Sequence, residues 1–296
     1  MNDLKEKLSL YNFKINSIKY LGKVIIIDTT NGKYVYKNGN NYKIYEYLES
    51  RGFNYFPKSI NSKDTSYELT PYIKDLKEPD EQKINDLVNL VSFLHEKTFF
   101  YKELDLDELK TMYENLNSGA DYLMKYYNDL NNIIDNTTFM SPSEYLLVRN
   151  IDLFYYLISF VKVESTNWYI NIKDKRSIRY SMVHNNLKLN HLLENNTSYL
   201  ISWNKAKIDL PYKDLKTILE DNYHKIDIEN VLKTYVKNNK LDKNEYMFLL
   251  INLALPKRIE FTNNTCFDCY KLSNYVEYLR KIEFIIQKID KNANKI

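Results

Sequence analysis

The hydrophobic pattern of this chain changes from strand-like to helix-like soon after residue 72, and that change limits the folds it can adopt. Between Lys14 and Lys37, the runs SIKYLGK, VIIIDTT and KYVYK are rich in β-branched and aromatic residues, and Asn31-Gly32 is a hairpin signal. Four of the five glycines lie within the first 52 residues, where tight turns need them. The pattern predicts an antiparallel sheet of at least three strands.

A short helix and a further strand are predicted next. Residues 41–51 (NYKIYEYLESR) place apolar side chains four positions apart, and Gly52 is the glycine expected just past the end of a helix. Residues 67–72 (YELTPY) are typical of a strand that leads into a proline turn. We therefore predict a β-rich N-terminal lobe over residues 1–72.

The remainder of the chain, residues 73–296, has mainly helical periodicity. The predicted helices cover 80–98, 105–132, 143–163, 212–222, 227–238, 242–254 and 267–290. Residues 179–183 instead indicate a strand, 184–190 a loop, and the segment around Glu194–Thr197 a hairpin. The predicted fold class is α+β, with a small antiparallel β lobe before a large helical lobe that carries the hairpin.

Charge and hydropathy exclude several classes of partner. The chain has 42 Lys and Arg against 39 Asp and Glu, spread along the sequence, so it lacks the basic field of a nucleic-acid-binding protein. No window reaches the ~18 apolar residues that span a bilayer. The first residues, MNDLKEKLSLYNF, contain no long apolar signal segment. We expect a cytoplasmic protein with no nucleic-acid partner and no membrane span.

Cys266 and Cys269 are the only cysteines, and they form a Cys-x-x-Cys pair. Such a pair suits a redox centre, half of a zinc site, or two reduced thiols one helical turn apart. Because the sequence has no second cysteine pair and no histidine at ligand spacing beside this one, we expect two reduced thiols.

Ser181–Leu215, with the sequence SMVHNNLKLNHLLENNTSYLISWNKAKIDLPYKDL, contains the most specific motif. It resembles the HGDLxxxN…LIDW…DxPxxDL run of aminoglycoside phosphotransferases and choline-kinase-like enzymes. With SPSEYLLVRN at 141–150 and NLALPKRIEF at 252–261, the chain is similar to the spore-coat-associated, kinase-like branch of that superfamily in Gram-positive bacteria. The resemblance implies a protein-kinase-like two-lobe fold, in which Asp209 and Asp214 have structural roles.

The same resemblance implies a nucleotide site in the N-terminal lobe. Lys37 matches the strand lysine that contacts the nucleotide phosphates, and Glu46 is its predicted helix partner, with Glu49 as the alternative. Gly22 is the one glycine in the loop expected to cover the phosphates, which indicates a vestigial ATP site. The competing interpretation is that Lys37 only keeps an edge strand soluble and that Glu46 is a solvated helix residue.

The chain departs from the family pattern at the positions that carry its chemistry. His184 matches the motif histidine, but Asn186 stands where the pattern has the catalytic-base Asp. His191 and Ser202 stand where it has the magnesium-binding Asn and Asp. An amide is too weak a base to accept the proton of the attacking hydroxyl, and magnesium prefers charged oxygen ligands. Two histidines also suit a transition metal, but the sequence offers no evident third ligand, so we expect His184 and His191 to be hydrogen-bonding core residues.

Three functions follow from these residues. The prediction is a pseudokinase that acts as a binding or scaffolding module, with a spore coat or cell envelope as the location the resemblance implies. The alternative is an active small-molecule phosphotransferase that uses a relocated acid such as Asp209. A third is a sensor that binds a nucleotide or small molecule without reaction. No cofactor is expected for the first function, whereas the alternative requires ATP and magnesium. The partner is a protein or a small-molecule ligand of unknown identity.

Overall fold

A four-stranded antiparallel sheet forms the N-terminal part of the chain. The structure, a computed structural model, describes residues 11, 13–22, 24–61, 65–262 and 264–293. In Thr29–Gly32, the turn that joins the second and third strands, Gly32 has a φ of +123° that suits glycine. The predicted Asn-Gly hairpin and the predicted sheet of at least three strands are confirmed. The strands, hydrogen-bonded in this order, are β1 (Ile15–Leu21), β2 (Val24–Thr29), β3 (Gly32–Asn38) and β4 (Tyr67–Pro71).

One face of this sheet is buried. Ile27, Tyr36, Tyr67 and Leu69 form a core cluster in which no member is more than 4% exposed. Tyr36 and Leu69 lie directly opposite each other on β3 and β4, where cross-strand side chains contact. Burial of each such side chain contributes roughly 1.5–3 kcal/mol to stability. Helix α1 (Tyr42–Ser50) follows the third strand, as predicted.

Helices make up most of the remaining described chain. Helix α3 packs along α5, α5 packs against α8, and α9 packs against α4. The small sheet and the larger helical part confirm the predicted α+β class. Within the described residues, no helix combines the length and the apolar character that crossing a bilayer requires. The helices are α2 (Asp80–Thr98), α3 (Leu106–Asp135), α4 (Pro142–Val148), α5 (Ile151–Ile172), α6 (Tyr212–Asn222), α7 (Ile228–Asn239), α8 (Lys243–Ala254) and α9 (Thr265–Ala293).

The prediction of one helix over 143–163 is wrong, because Asn150 separates α4 from α5. Its side-chain Nδ2 donates to the carbonyl of Leu146 at 2.8 Å, and its Oδ1 accepts from Arg280 Nη2 at 2.6 Å. An amide that bonds the carbonyl four residues earlier competes with the backbone hydrogen bonds of a helix. The apolar periodicity runs through this break, so the pattern alone did not reveal it.

Two further small sheets are formed by strands that lie between helices in the sequence. β5 (Phe100–Glu103), β6 (Ser177–Val183) and β9 (Lys207–Asp209) form one, and β7 (Leu192–Asn195) and β8 (Thr197–Leu200) form a hairpin. The predicted strand at 179–183 and the predicted hairpin are confirmed. The sequence analysis missed β5 and β9, which have only 4 and 3 residues and are mostly exposed, so they show no alternating pattern.

The described chain forms two compact units. The first comprises the described residues up to Leu90 together with His184–Lys207. The second comprises Val91–Val183 with the described residues from Ile208 onward. The predicted division fell at residue 72 and assigned the hairpin to the C-terminal lobe, whereas these units place the hairpin in the first.

Backbone hydrogen bonds explain why the hairpin lies in the first unit. The N–H of Leu200 in β8 donates to the carbonyl of Tyr55 at 2.8 Å. The N–H of Leu76 donates to the carbonyl of Glu194 in β7, also at 2.8 Å. Both strands of the hairpin are therefore bonded to the N-terminal part of the chain, a pairing that sequence order does not reveal.

Candidate functional site

Trp203 anchors the segment that carries the predicted catalytic positions. Its indole is fully buried, and its Nε1 donates to the backbone carbonyl three residues earlier at 2.8 Å. The ring centroid lies 4.7 Å from that of His184. Phe53 and Phe56 contact the indole edge-on, with centroids 6.0 and 6.4 Å away. This aromatic cluster fixes both ends of the segment 184–203.

His184, the predicted motif histidine, is fully buried. Its Nε2 lies 2.9 Å from the carbonyl oxygen of Ile201. Because a carbonyl oxygen only accepts, Nε2 carries the hydrogen and donates it. The imidazole thereby joins the start of the loop to the residue before Ser202.

Asn186, which stands at the predicted base position, is bonded within its own loop. Its Nδ2 donates to the backbone carbonyl of Ser202 at 3.3 Å and to Asn204 Oδ1 at 3.5 Å. Its backbone carbonyl accepts from Nδ1 of His191 at 2.6 Å. The structure thus brings together three predicted site positions, Asn186, His191 and Ser202, and it links them through N–H donors to carbonyl oxygens.

His191 is half-buried and has a lowered pKa. Burial is the main cause, and the positive charges of Lys188 and Lys37 lower the pKa further, against the opposing effect of the hydrogen bond to the Asn186 carbonyl. The imidazole is therefore neutral at pH 7, with its hydrogen on Nδ1. A neutral nitrogen is a poor ligand for magnesium, which prefers oxygen.

Ser202 adopts a left-handed backbone conformation, with φ +72° and ψ 45°. This conformation costs a non-glycine residue about 1–2 kcal/mol. Ser202 offers a neutral hydroxyl at the position where the family pattern has a metal-binding carboxylate. The residues at this site therefore do not fit the magnesium ion that the kinase pattern uses.

Lys37 lies in β3 directly opposite Glu68 in β4. Side chains at directly opposed positions of an antiparallel pair project from the same face of the sheet. Burial lowers the pKa of Lys37 below its usual range, and the negative charge of Glu68 offsets part of that shift. The structure thus supplies Lys37 with a carboxylate from the neighbouring strand.

Glu68, and not the predicted Glu46, is the acid in register with Lys37. Glu68 is 4% exposed, and its two oxygens accept from the N–H of Asn41 at 2.6 Å and from the hydroxyl of Tyr45 at 3.3 Å. Glu46 is exposed on α1, where Tyr45 is the residue that turns inward. The alternative, Glu49, pairs with Lys58 at 3.1 Å.

A cavity of about 420 Å³ in the first unit brings several predicted residues together. Lys37, Glu68, His191 and Ser202 line it, together with Asp75 and apolar residues of β2 and β3. Gly22 does not line the cavity; it lies between β1 and β2 with φ +58°. The volume is in the range of sites that bind small molecules.

Asp75 is the second carboxylate that lines this cavity, and both of its oxygens have protein partners. Oδ2 pairs with Lys83 Nζ at 2.5 Å, and Oδ1 accepts from the N–H of Glu194 at 2.9 Å. Both acids that line the cavity, Glu68 and Asp75, therefore already accept hydrogen bonds from donors in the protein.

Asp209 and Asp214, predicted to be structural, lie in the second unit and are buried. Asp209 accepts from Lys213 Nζ at 2.6 and 2.7 Å and from the N–H of Leu210 at 2.8 Å. Asp214 lies 3.3 Å from Nε2 of His95. These contacts tie both carboxylates to neighbouring side chains and give them no exposed reactive face.

Histidine and cysteine positions offer no complete transition-metal site within the described residues. The rings of His184 and His191 have centroids 6.2 Å apart, and no third potential ligand joins them in the part of the chain that the structure describes. Cys266 and Cys269 lie three positions apart in the first turns of α9 as thiols. That both thiols stay reduced in the cell remains a prediction.

Comparison with known proteins shows the fold. No protein-family model and no curated protein sequence matches the chain. The structure resembles an aminoglycoside phosphotransferase from Alicyclobacillus acidocaldarius, with a TM-score of 0.72 at 11% identity over 95% of this chain and 93% of that one. It also resembles an AMP-bound spectinomycin phosphotransferase, with a TM-score of 0.50 at 13% identity over 94% and 97% of the two chains. The predicted protein-kinase-like fold class is confirmed.

Sequence reasoning missed Glu68 and Asp75. Glu68 had a signal, because it is the one charged residue in the apolar run YELT, and a charge within a buried strand needs a partner. Asp75 lies in a segment with many charged residues, IKDLKEPDE, so nothing in the sequence singled it out.

Proposed function

We propose that this protein is a pseudokinase, a kinase-like fold that binds a ligand in the cavity around Lys37 and does not transfer phosphate. The observation that carries the proposal is that both acids lining the cavity are bonded to protein donors. Glu68 accepts from the N-terminal end of α1, and Asp75 accepts from Lys83 and Glu194. Neither acid is presented as a base or as a bridging ligand for magnesium.

The chemistry of phosphoryl transfer supports the same proposal. The reaction depends on positive charge that neutralises the moving phosphoryl group and on a base or orienting residue for the nucleophile. Asn186, His191 and Ser202 supply an amide, a neutral imidazole and a hydroxyl in place of the family's Asp, Asn and Asp. A site of this composition is expected to react several orders of magnitude more slowly than an active kinase.

The ligand that best fits the cavity has an anionic part and a flat apolar part. Lys37 supplies a cation whose pKa is lowered by burial but which Glu68 helps to keep charged. Val24, Ile26 and Val35 line the same cavity and suit an aromatic ring. A nucleotide bound without catalytic magnesium meets both requirements, which makes the protein a sensor as well as a binding module.

The location and partner in this proposal rest on the motif resemblance. The spore-coat-associated branch to which Ser181–Leu215 is similar supports a scaffolding role in a spore coat or cell envelope. Fluorescent tagging in the source cells tests the proposed location. A uniform cytoplasmic signal through the whole life cycle would contradict it.

A turnover assay tests the inactivity of the site. The purified chain is incubated with ATP, Mg²⁺ and an aminoglycoside or spectinomycin, the compounds named for the two structural relatives, or with choline, which the motif resemblance suggests. We expect turnover below about 0.1 s⁻¹, against 1–100 s⁻¹ for typical kinases. A higher rate would establish the alternative, an active phosphotransferase.

A binding assay tests the role of the cavity. Nucleotide binding is followed by thermal shift with and without Mg²⁺, for the wild type, Lys37→Ala and Lys33→Ala. Lys33 is the matched control because it lies on the same strand but is exposed and pairs with Asp28 at 3.2 Å. We expect at least a tenfold loss of affinity in Lys37→Ala only. Equal effects of the two substitutions would place the ligand elsewhere.

A further inference from the structure

Three carboxylates converge in the first unit outside the cavity around Lys37. Glu78 precedes α2, Asp86 lies within α2, and Glu194 lies in β7. One oxygen atom from each lies within 4.8 Å of the other two. None of these residues lines the cavity of the proposed ligand site.

Glu194 distinguishes this group from ordinary surface acids. The residue is 7% exposed, and its Oε1 is buried with no hydrogen-bond donor among the described residues. A carboxylate removed from water is costly unless a donor, a proton or a cation compensates its charge. Glu78 and Asp86 bring further negative charge to the same place, and the hydrogen bond that Glu78 can share with Glu194 requires a proton on one of the two acids.

Two of the three acids are held in position by neighbouring groups. The N–H of Glu194 donates to Asp75 Oδ1 at 2.9 Å, and its carbonyl accepts from the N–H of Leu76 at 2.8 Å. Gln82 Nε2 donates to Asp86 Oδ2 at 2.8 Å. These contacts orient two of the acids toward one point before anything binds there.

We propose that Glu78, Asp86 and Glu194 bind one divalent metal ion, with calcium as the best fit. Carboxylate oxygens are hard ligands, and calcium binds them at about 2.3–2.6 Å in flexible geometry. Two oxygens on one calcium ion are therefore up to about 5 Å apart, which the spacing of this group satisfies. Glu78 and Asp86 are only half-buried, so water completes the shell. The site is independent of the proposed pseudokinase function.

The surroundings of Glu194 disfavour an isolated negative charge. Burial is the main cause that raises the pKa of Glu194 to about 7, and Glu78 and Asp86 add to it while the charge of Lys83 opposes it. Asp75, the other acid near Lys83, is paired with that lysine. A bound cation would offset the negative charge that the three carboxylates concentrate at one point.

Calorimetric titration of the full chain with CaCl₂ tests the site. We expect saturable binding of one ion per chain at about pH 8, where carboxylates are ordinarily ionised. Asp86→Asn should weaken binding at least tenfold, because it removes one charged ligand and retains an acceptor for Gln82. Glu81→Gln is the matched control, since it removes the same charge from an exposed position of the same helix and should leave affinity unchanged.

Two results would overturn the site. One is the absence of saturable binding at millimolar calcium at about pH 8, which would mean that a proton alone compensates Glu194. The other is equal affinity in Asp86→Asn and Glu81→Gln, which would mean that calcium binds elsewhere. If Asp86→Asn lowers the unfolding midpoint without calcium, Glu78→Gln, from the irregular segment before α2, replaces it with the same expected loss.

Discussion

Asn186 and His191 hold their loop together by donating N–H groups to backbone carbonyls. Asn186 Nδ2 donates to the carbonyl of Ser202, and His191 Nδ1 donates to the carbonyl of Asn186. A carboxylate at position 186 has no hydrogen to donate at neutral pH, so an aspartate there would face the Ser202 carbonyl without a bond. At the scale of the residue, the amide of Asn186 therefore has a structural role in the loop, which an aspartate could not take over.

Asn186→Asp should lower stability without creating activity. The substitution loses a donor and places a carboxylate beside a carbonyl oxygen, so we expect the free energy of unfolding to fall by about 1–2 kcal/mol. Urea denaturation measures this fall, and an ATP hydrolysis assay should stay at the wild-type level. Asn195→Asp is the control, because Asn195 is exposed in the hairpin that follows this loop and its change should stay within about 0.5 kcal/mol.

Two outcomes would contradict this prediction. If Asn186→Asp were as stable as Asn195→Asp, the bond to Ser202 would contribute nothing to the loop. If Asn186→Asp hydrolysed ATP at a kinase-like rate, the rest of the site would be intact and the amide alone would account for inactivity.

At the scale of secondary structure, the sequence predicts features that depend on neighbouring residues. It does not predict which residues of two strands lie opposite each other. The Asn31-Gly32 turn and the helix start at Ser141 were predictable because each depends on residues within a few positions of one another. In the structure Ser141 Oγ accepts from the N–H of Glu144 at 3.3 Å, a capping box that the letters SPSE already contain. The opposition of Lys37 and Glu68 depends instead on the register of two strands about thirty residues apart, which no local signal sets.

The end of α7 provides a test of helix-terminal strain. Lys240 follows the helix with φ +49° and ψ 48°, and its N–H donates to the carbonyls of Val236 and Lys237. The left-handed conformation costs lysine about 1–2 kcal/mol. Glycine adopts it at no steric cost, but its greater freedom in the unfolded chain costs about 0.4–1 kcal/mol of stability. Lys240→Gly should therefore raise the free energy of unfolding by about 0.5 kcal/mol.

Lys237→Gly is the matched control for this substitution. It also replaces lysine with glycine, but in the last turn of the same helix. The backbone there is helical, and glycine lowers stability by about 1 kcal/mol. The free energy of unfolding measured by urea denaturation should thus rise for Lys240→Gly and fall for Lys237→Gly. A fall of similar size in both would show that the conformation of Lys240 stores no strain.

At the scale of the whole molecule, each unit brings a basic and an acidic side chain together from different elements. In the first unit Lys37 and Glu68 lie across two strands. In the second, Arg179 of β6 donates from Nε to Glu245 of α8 at 2.7 Å. Neither pair includes Asn186, the position where the kinase pattern needs its base. These charged contacts are therefore separate from the predicted catalytic position, and a change at Asn186 leaves both of them in place.

Glu245→Ala should destabilise the second unit strongly. Arg179 is 7% exposed, and its Nη2 also donates to the hydroxyl of Tyr101 at 3.0 Å, so it would keep a buried charge without its carboxylate. Loss of one partner of a buried ion pair costs about 3–5 kcal/mol. Glu245 also accepts from the N–H of Asp242 at 2.8 Å at the start of α8, and this contact would be lost as well.

Urea denaturation of a matched set separates the buried charge from the loss of a side chain. Glu114→Ala removes an acid from an exposed pair with Lys110, separated by 3.6 Å, and should change the free energy of unfolding by less than about 1 kcal/mol. The double variant Arg179→Met, Glu245→Leu should be more stable than Glu245→Ala, because it buries apolar side chains and leaves no unpaired charge. If the double variant were the less stable of the two, the cost of Glu245→Ala would come from lost packing and the helix cap, and the buried guanidinium would not be its cause.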